Sequence, residues 1–251
     1  QLWRGALAYS IAVAVCFAIQ LQIPFSPRLS LGGVLSVVAT CLVISVPFVC
    51  SGVVVCLVLT RFPERVNRLY AVDLIGAGLG CIALLLLFSW FDGPSLVILI
   101  AAFAALGALA FAIDARHRAG VITAAVCALA LGGFAVVNAQ LQKDGNAPLR
   151  IVWVKEVRDN DHTLERWNAF SRLTIDEDRN DPDVNTLGIV IDSTAGTGVR
   201  RFNGDLSTTD DLRNSVRNLP HHIRADADVF VIGVGGGTDV LSALEFEQRS
   251  V

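Results

Sequence analysis

The sequence contains no methionine, and its second half contains no cysteine. Charged side chains are also scarce in the first half: residues 1–141 hold 11 of the 43 charged residues, and residues 142–251 hold the other 32. Because soluble domains are typically about 25% charged, a deficit confined to one half excludes a single soluble domain. The chain begins at Gln1 without a methionine, so we expect it to be a fragment of a longer protein.

All six cysteines lie inside apolar runs of the first half. Disulfide frameworks are typical of small secreted domains, and metal sites need paired spacings with polar neighbours, so neither is predicted. In the acidic run at 176–183, Asp176, Asp178 and Asn180 stand at alternate positions, as the ligands of a calcium loop do. However, Asp181 stands where that loop needs glycine, and Leu187 stands where it needs glutamate. The sequence therefore predicts no metal site.

Net charge differs between the two halves, at +3 for residues 1–141 and −6 for residues 142–251. Binding to nucleic-acid phosphates requires a basic face. The acidic second half therefore excludes nonspecific nucleic-acid binding.

Long apolar runs fill the first half, and each can cross about 30 Å of hydrocarbon, which takes roughly 20 helical residues. Almost no polar stripe interrupts them, which argues against the buried helices of a soluble protein. We predict a transmembrane region at 1–141 with about five helices, at 5–23, 31–60, 70–91, 95–114 and 119–138. Pro47 predicts a kink or a tilt in the second helix rather than two separate spans.

The arginine clusters at 61–68 and 116–118 favour cytoplasmic loops. A full crossing by 119–138 would then place the second half outside the cytoplasm. Asp73, at the start of the third helix, is a candidate for transport chemistry because intramembrane carboxylates are usually functional. It lies near the expected interface and before the glycine-rich segment 76–80, which favours helix packing instead.

The second half divides in two. Residues 142–150 are rich in turn formers, and the β-rich stretches RIVWVKEV, FSRLTID and TLGIVID follow them. We therefore predict a β-rich subdomain with antiparallel strands at 142–224. Residues 225–251 contain a β-branched run at 229–232, expected to be a buried strand, and then an apolar helical pattern. Four glycines stand between the two: Gly233, Gly235, Gly236 and Gly237.

A strand, a glycine turn and a helix in this order are typical of the start of a Rossmann-like domain. Glycines let the backbone approach a cofactor closely, and the free N–H groups of the helix face the ligand. The spacing G-x-G-x-G, rather than G-x-G-x-x-G, favours S-adenosylmethionine over NAD.

Three segments, in their order along the chain, resemble the spermidine synthase family, in particular its bacterial membrane-anchored relatives. They are WNAFSR (167–172), VIDSTAGT (190–197) and VIGVGGGTDVLSAL (231–244), and the membrane segment RLYAVDLIGAGLGC (68–81) is also similar. The resemblance implies a small antiparallel β subdomain followed by a methyltransferase-type Rossmann-like fold, of which only the first strand and helix are present. The implied fold class is thus a multi-span α-helical membrane region followed by an α/β domain.

The resemblance also implies a site. Its ligand would be S-adenosylmethionine or decarboxylated S-adenosylmethionine, bound without a metal, and its catalytic residues remain unknown because the family's catalytic Asp would follow Val251. The glycines at 233, 235, 236 and 237 would contact this ligand, Asp239 would bind its amino group, and Asp192 and Trp167 would belong to the pocket wall. The implied function is a membrane-anchored transferase of the bacterial inner membrane, with its soluble domain in the cytoplasm.

Departures from the family keep other functions open. Gly236 stands where the synthases carry an Asp, and Leu212, Arg213 and Asn214 stand at their Tyr-His-Glu run. A methyltransferase on the same fold is therefore the nearest alternative. A non-catalytic transporter or scaffold with a nucleotide-sensing domain is a third. The expected partners are the lipid bilayer and a small-molecule acceptor such as a polyamine, and the chain is compatible with a homodimer.

Overall fold

The computed structural model describes residues 1–26, 29–154, 157–159, 162–176, 186–193 and 195–251. These residues form two compact units. The first unit is Gln1–Asp161 with Trp167–Phe170, and the second is His162–Arg166 with Ser171–Val251.

Five long helices dominate the first unit. They are α1 (Leu2–Gln20), α2 (Leu31–Arg61), α3 (Val66–Leu87), α4 (Gly93–Asp114) and α5 (Arg118–Lys143). Each is long and apolar enough to cross a membrane, α3 together with the preceding 3₁₀ turn Pro63–Arg65. The prediction of about five helices that are long and apolar enough to cross a membrane is confirmed.

Side chains cap three of these helices. The Ser30 side chain accepts a hydrogen bond from the Gly33 N–H at the start of α2, and His117 Nδ1 accepts one from Gly120 at the start of α5. At the start of α4, Asp92 accepts one from the Ser95 N–H. Such caps satisfy amide groups that have no partner within the helix, so they fix where the helix begins.

Small residues hold the helices together. Ala101, Ala105 and Ala108 on α4 are fully buried, as is Ala124 on α5, which packs against α4. Small side chains let two helix backbones approach closely, which is how helices associate without a hydrophobic driving force in lipid. The Ser10 hydroxyl of α1 adds a hydrogen bond of 2.6 Å to the Ala101 carbonyl.

Helix α2 continues without interruption through Pro47. Proline has no N–H, so the helix loses one backbone hydrogen bond at this position. Two residues earlier, the Ser45 hydroxyl donates to the carbonyls of Cys41 and Leu42, at 2.8 and 2.9 Å. Side-chain bonds of this kind often accompany a bend in a helix.

Asn138 is a fully buried polar side chain near the end of α5. Its amide nitrogen donates to the Ser95 hydroxyl and to the Leu149 carbonyl, both at 2.9 Å. Its amide oxygen accepts a hydrogen bond from the Leu149 N–H, also at 2.9 Å. Asn138 therefore joins α5 to the start of α4 and to the segment that follows α5.

The strands form two small antiparallel sheets. One pairs β1 (Trp153–Val154) with β2 (Val157–Arg158). The other has the order β3-β4-β5-β6 and contains β3 (Leu164–Trp167), β4 (Arg172–Asp176), β5 (Thr186–Ile191) and β6 (Ala195–Arg200). The prediction of antiparallel strands in this part of the chain is confirmed.

After the sheet, the second unit consists mainly of short helical segments. They are the 3₁₀ segments Leu206–Asn214 and Val216–Asn218, α6 (Leu219–Ile223) and α7 (Thr238–Glu245). Helix α7 packs against the 3₁₀ segment Leu206–Asn214.

The buried strand expected at 229–232 is not formed, and this expectation is corrected. A single parallel bridge joins Asp228 to Ser250, and Phe230 and Ile232 are 87% and 85% exposed. A buried parallel strand needs neighbours on both sides to satisfy its backbone groups. No described strand flanks this segment, so it remains outside both sheets. The Rossmann-like fold remains a prediction.

Candidate ligand-binding cleft

The glycine-rich segment and the β5–β6 region line one cleft of about 230 Å³ in the second unit. From the first segment come Gly233, Val234, Gly235, Thr238 and Asp239; from the second come Ile191, Ala195, Gly196 and Thr197; and Arg217 completes the lining. The cleft thus joins residues of two segments that are about 40 positions apart in the chain.

Three glycines adopt backbone angles that other residues avoid. Gly233, Gly235 and Gly237 have φ angles of 72°, 54° and 81°. These left-handed conformations carry a steric cost for any residue with a Cβ atom, so the turn depends on glycine at each position. Gly237 is also the residue before the first turn of α7, so the turn delivers the chain directly into that helix.

Gly236 has a different role from its neighbours. Its N–H donates to the Thr197 hydroxyl at 3.2 Å, and a Cβ atom added to it would overlap the carbonyl group of Gly198 on β6. Glycine is therefore required at 236 because two backbones come into close contact there. The interaction anchors the glycine turn to the sheet.

Two opposite charges line the cleft without partners. Arg217 and Asp239 make no ion pair with each other or with any other residue in the described part of the chain. Four other arginines of the unit are paired: Arg172 with Glu165, Arg200 with Asp211, Arg213 with Glu245, and Arg249 with Asp228. The cleft therefore offers a cation and an anion whose hydrogen-bonding capacity is unused.

Glu245, at the end of α7, belongs to a buried polar cluster that is not part of the cleft lining. Its carboxylate is 4% exposed and accepts hydrogen bonds from the Thr209 hydroxyl at 2.6 Å and from Arg213 Nε at 2.5 Å. The Thr209 hydrogen bond, followed by Arg213, lowers the pKa of Glu245. The Arg213 guanidinium also donates to the Glu245 carbonyl and lies over the Phe246 ring. Arg213 is thus fixed in position by these contacts, although its side chain is half exposed.

The predicted ligand contacts lie in different places. Gly233, Gly235 and Asp239 line the cleft, whereas Gly236 and Gly237 belong to the turn but not to the described lining.

Neither candidate for the pocket wall is among the described lining residues. The Asp192 carboxylate accepts a hydrogen bond from the Arg172 N–H at 2.9 Å, so it fixes the turn after β5. Trp167 stacks on Phe88 at 6.3 Å and covers Gly93 at the start of α4.

Three polar side chains of the lining were missed from the sequence as individual candidates: Thr197, Arg217 and Thr238. Thr197 and Thr238 lie inside segments already singled out by resemblance, which is a signal for them. Arg217 has no acidic residue three or four positions away, so no partner within one helical turn was available to neutralise it. That absence of a local partner is a weak signal for a free cation.

Among the described residues, no three His, Cys, Asp or Glu side chains come together in a group that could hold a metal ion. The acidic run compared above with a calcium loop lies, from 177 to 183, outside the described residues.

Comparison with known proteins finds no matching family model, no similar curated protein and no similar solved structure. Function is therefore inferred from the cleft and from the sequence motifs.

Proposed function

We propose that the chain is a membrane-anchored, spermidine synthase-like transferase whose cleft binds S-adenosylmethionine or its decarboxylated form. One observation carries this proposal: two of the three segments that resemble the family, 190–197 and 231–244, line the same cleft. Two motifs of one family on the same cleft are what a shared ligand site would require. The five apolar helices would supply the anchor.

The chemistry of the cleft fits part of such a ligand. The backbone at Gly233 and Gly235 carries no side chain that would block a close approach, and Asp239 offers a carboxylate for an ammonium group. The volume of about 230 Å³ is below the roughly 300–1,000 Å³ of complete ligand sites. The cleft therefore accommodates the amino-acid end of the ligand rather than the whole molecule.

A methyltransferase is the second candidate, and the position of Arg213 favours it. A polyamine needs carboxylates or aromatic faces to replace its hydration. Where the synthases carry Tyr-His-Glu, this chain offers the buried Leu212, the Glu245-bound Arg213, and Asn214. We therefore expect little spermidine from putrescine and decarboxylated S-adenosylmethionine. Turnover on the order of 1 per second, an ordinary enzyme rate, would contradict this expectation.

The binding proposal can be tested by titration calorimetry on the full chain in detergent. Gly235→Val should abolish binding of both sulfonium ligands, because a branched side chain would enter the cleft and penalise the positive φ of 54°. Gly204→Val is the matched control, since Gly204 also has a positive φ, of 96°, but lies away from the cleft. It should retain binding. Equal affinity of Gly235→Val and the unmodified chain, with the fold intact, would remove the glycine turn from the site.

We also propose that the second unit faces the cytoplasm, where S-adenosylmethionine is available. If all five helices cross the bilayer, the loops at 61–66 and 115–118 lie on one side and the end of α5 on the other. The arginines in these loops favour the opposite orientation by the positive-inside rule. A reporter fused after Arg150 decides between the two. Activity only on the periplasmic side would refute the cytoplasmic placement.

A further inference from the structure

The cleft presents two opposite charges that do not neutralise each other. Arg217 and Asp239 both line it, yet no ion pair joins them. Two opposite charges that share a small cleft without contact leave room for a ligand that carries both signs. An α-amino acid group, with its ammonium and carboxylate on one carbon, is such a ligand.

We infer that the cleft selects the α-amino acid group of S-adenosylmethionine and discriminates against the decarboxylated form, with Arg217 binding the carboxylate and Asp239 the ammonium. This inference rests on the proposed function and specifies its ligand. The two sulfonium ligands differ by one carboxylate, and a guanidinium binds a carboxylate through two parallel hydrogen bonds. Only the carboxylated ligand uses Arg217.

The net charges of the two ligands also favour S-adenosylmethionine over its decarboxylated form. Decarboxylated S-adenosylmethionine carries a sulfonium and an ammonium, so its net charge is +2, whereas S-adenosylmethionine has a net charge of +1. The unpaired Arg217 would repel the first ligand more strongly than the second. Arg213 does not alter this preference, because it does not line the cleft and its guanidinium is paired with Glu245.

A nucleotide phosphate is the competing ligand, since a glycine turn that leads into a helix also suits phosphates. Asp239 argues against it. A carboxylate on the same cleft would repel a phosphate, whereas it attracts an ammonium. The lining therefore favours a ligand of mixed charge over one that is purely anionic.

The test is calorimetry on the full chain in detergent with S-adenosylmethionine, its decarboxylated form and ATP. The unmodified chain should bind S-adenosylmethionine at least about tenfold more tightly than the decarboxylated form, as a charge-assisted carboxylate bond implies. Arg217→Gln should weaken only the carboxylated ligand and bring the two affinities within about threefold of each other. Arg217→Lys should retain part of the preference. The exposed Arg201 provides the control, because Arg201→Gln should change neither affinity.

The outcomes separate the inference from the proposed function. Equal binding of both sulfonium ligands by the unmodified chain, or an equal loss for both in Arg217→Gln, would overturn the inference and leave the proposed function standing. If the unmodified chain binds neither sulfonium ligand, both the inference and the proposed function are overturned. Tighter binding of ATP than of S-adenosylmethionine would also overturn both, because it would identify a phosphate site. The preference of the unmodified chain tests the inference even where a variant fails to fold.

Discussion

Replacement of Asn138 by leucine should cost the first unit about 3 kcal/mol of its free energy of unfolding. The side chain is fully buried and makes three hydrogen bonds of 2.9 Å, one with the Ser95 hydroxyl and two with the backbone of Leu149. Each such bond contributes about 1 kcal/mol, and values inside membranes are similar or somewhat smaller. Leucine satisfies none of the three groups left behind.

The assay is unfolding of the full chain in mixed micelles, with sodium dodecyl sulfate as denaturant and circular dichroism as the signal. Ser95→Ala removes the partner of a single bond and should cost about 1 kcal/mol. The double variant should be less destabilised than the sum of the single variants, by about 1 kcal/mol. Gln140→Leu replaces an exposed amide two residues away and should change stability by less than about 0.5 kcal/mol. An Asn138→Leu variant as stable as Gln140→Leu would refute the reasoning.

Three further predictions concern the second unit. Gly236→Ala should destabilise it strongly, because the new methyl group would overlap the backbone of β6; an unchanged thermal unfolding temperature would contradict this. Arg172→Met should cost about 3–5 kcal/mol, because it removes the guanidinium whose Nε lies 2.9 Å from the mostly buried carboxylate of Glu165. Chemical denaturation measures this cost, and a value below about 1 kcal/mol would show that the pair is dispensable. The lowered pKa of Glu245 should stabilise the fold above about pH 4.3, the ordinary glutamate value, and this contribution should disappear as pH falls through the lower, folded-state pKa. Glu245→Gln should remove that part of the pH dependence, and identical pH profiles would refute it.

The helices could be predicted from the sequence because an apolar run of about 20 residues has few alternatives in a membrane protein. The predicted positions of the helix ends were less accurate. The third was predicted from Tyr70, yet α3 begins at Val66, since Arg68 can continue a helix outside the hydrocarbon while it interrupts an apolar run. The contacts that fix the bundle, such as that of Ser10 with Ala101, join residues too far apart in sequence for any local pattern to reveal.

The cleft was predictable only in part. The glycine turn and the helix after it follow from local chemistry, because positive φ angles and a helix start are short-range features. The strand expected at 229–232 depends on neighbouring strands, and β-branched residues alone cannot supply them. The contact of Gly236 with Gly198, and the presence of Arg217 on the cleft, both result from tertiary packing. A one-dimensional pattern contains neither.

The length of α2 has a consequence for the surrounding lipid. Its 31 residues span about 46 Å, whereas the hydrocarbon layer is about 30 Å thick. A rigid rod of that length would have to tilt steeply or extend well into the headgroup region. Pro47 lies near the midpoint, where one backbone hydrogen bond is missing, so the two halves can adopt different inclinations. A change in bilayer thickness can therefore be absorbed by the angle at Pro47.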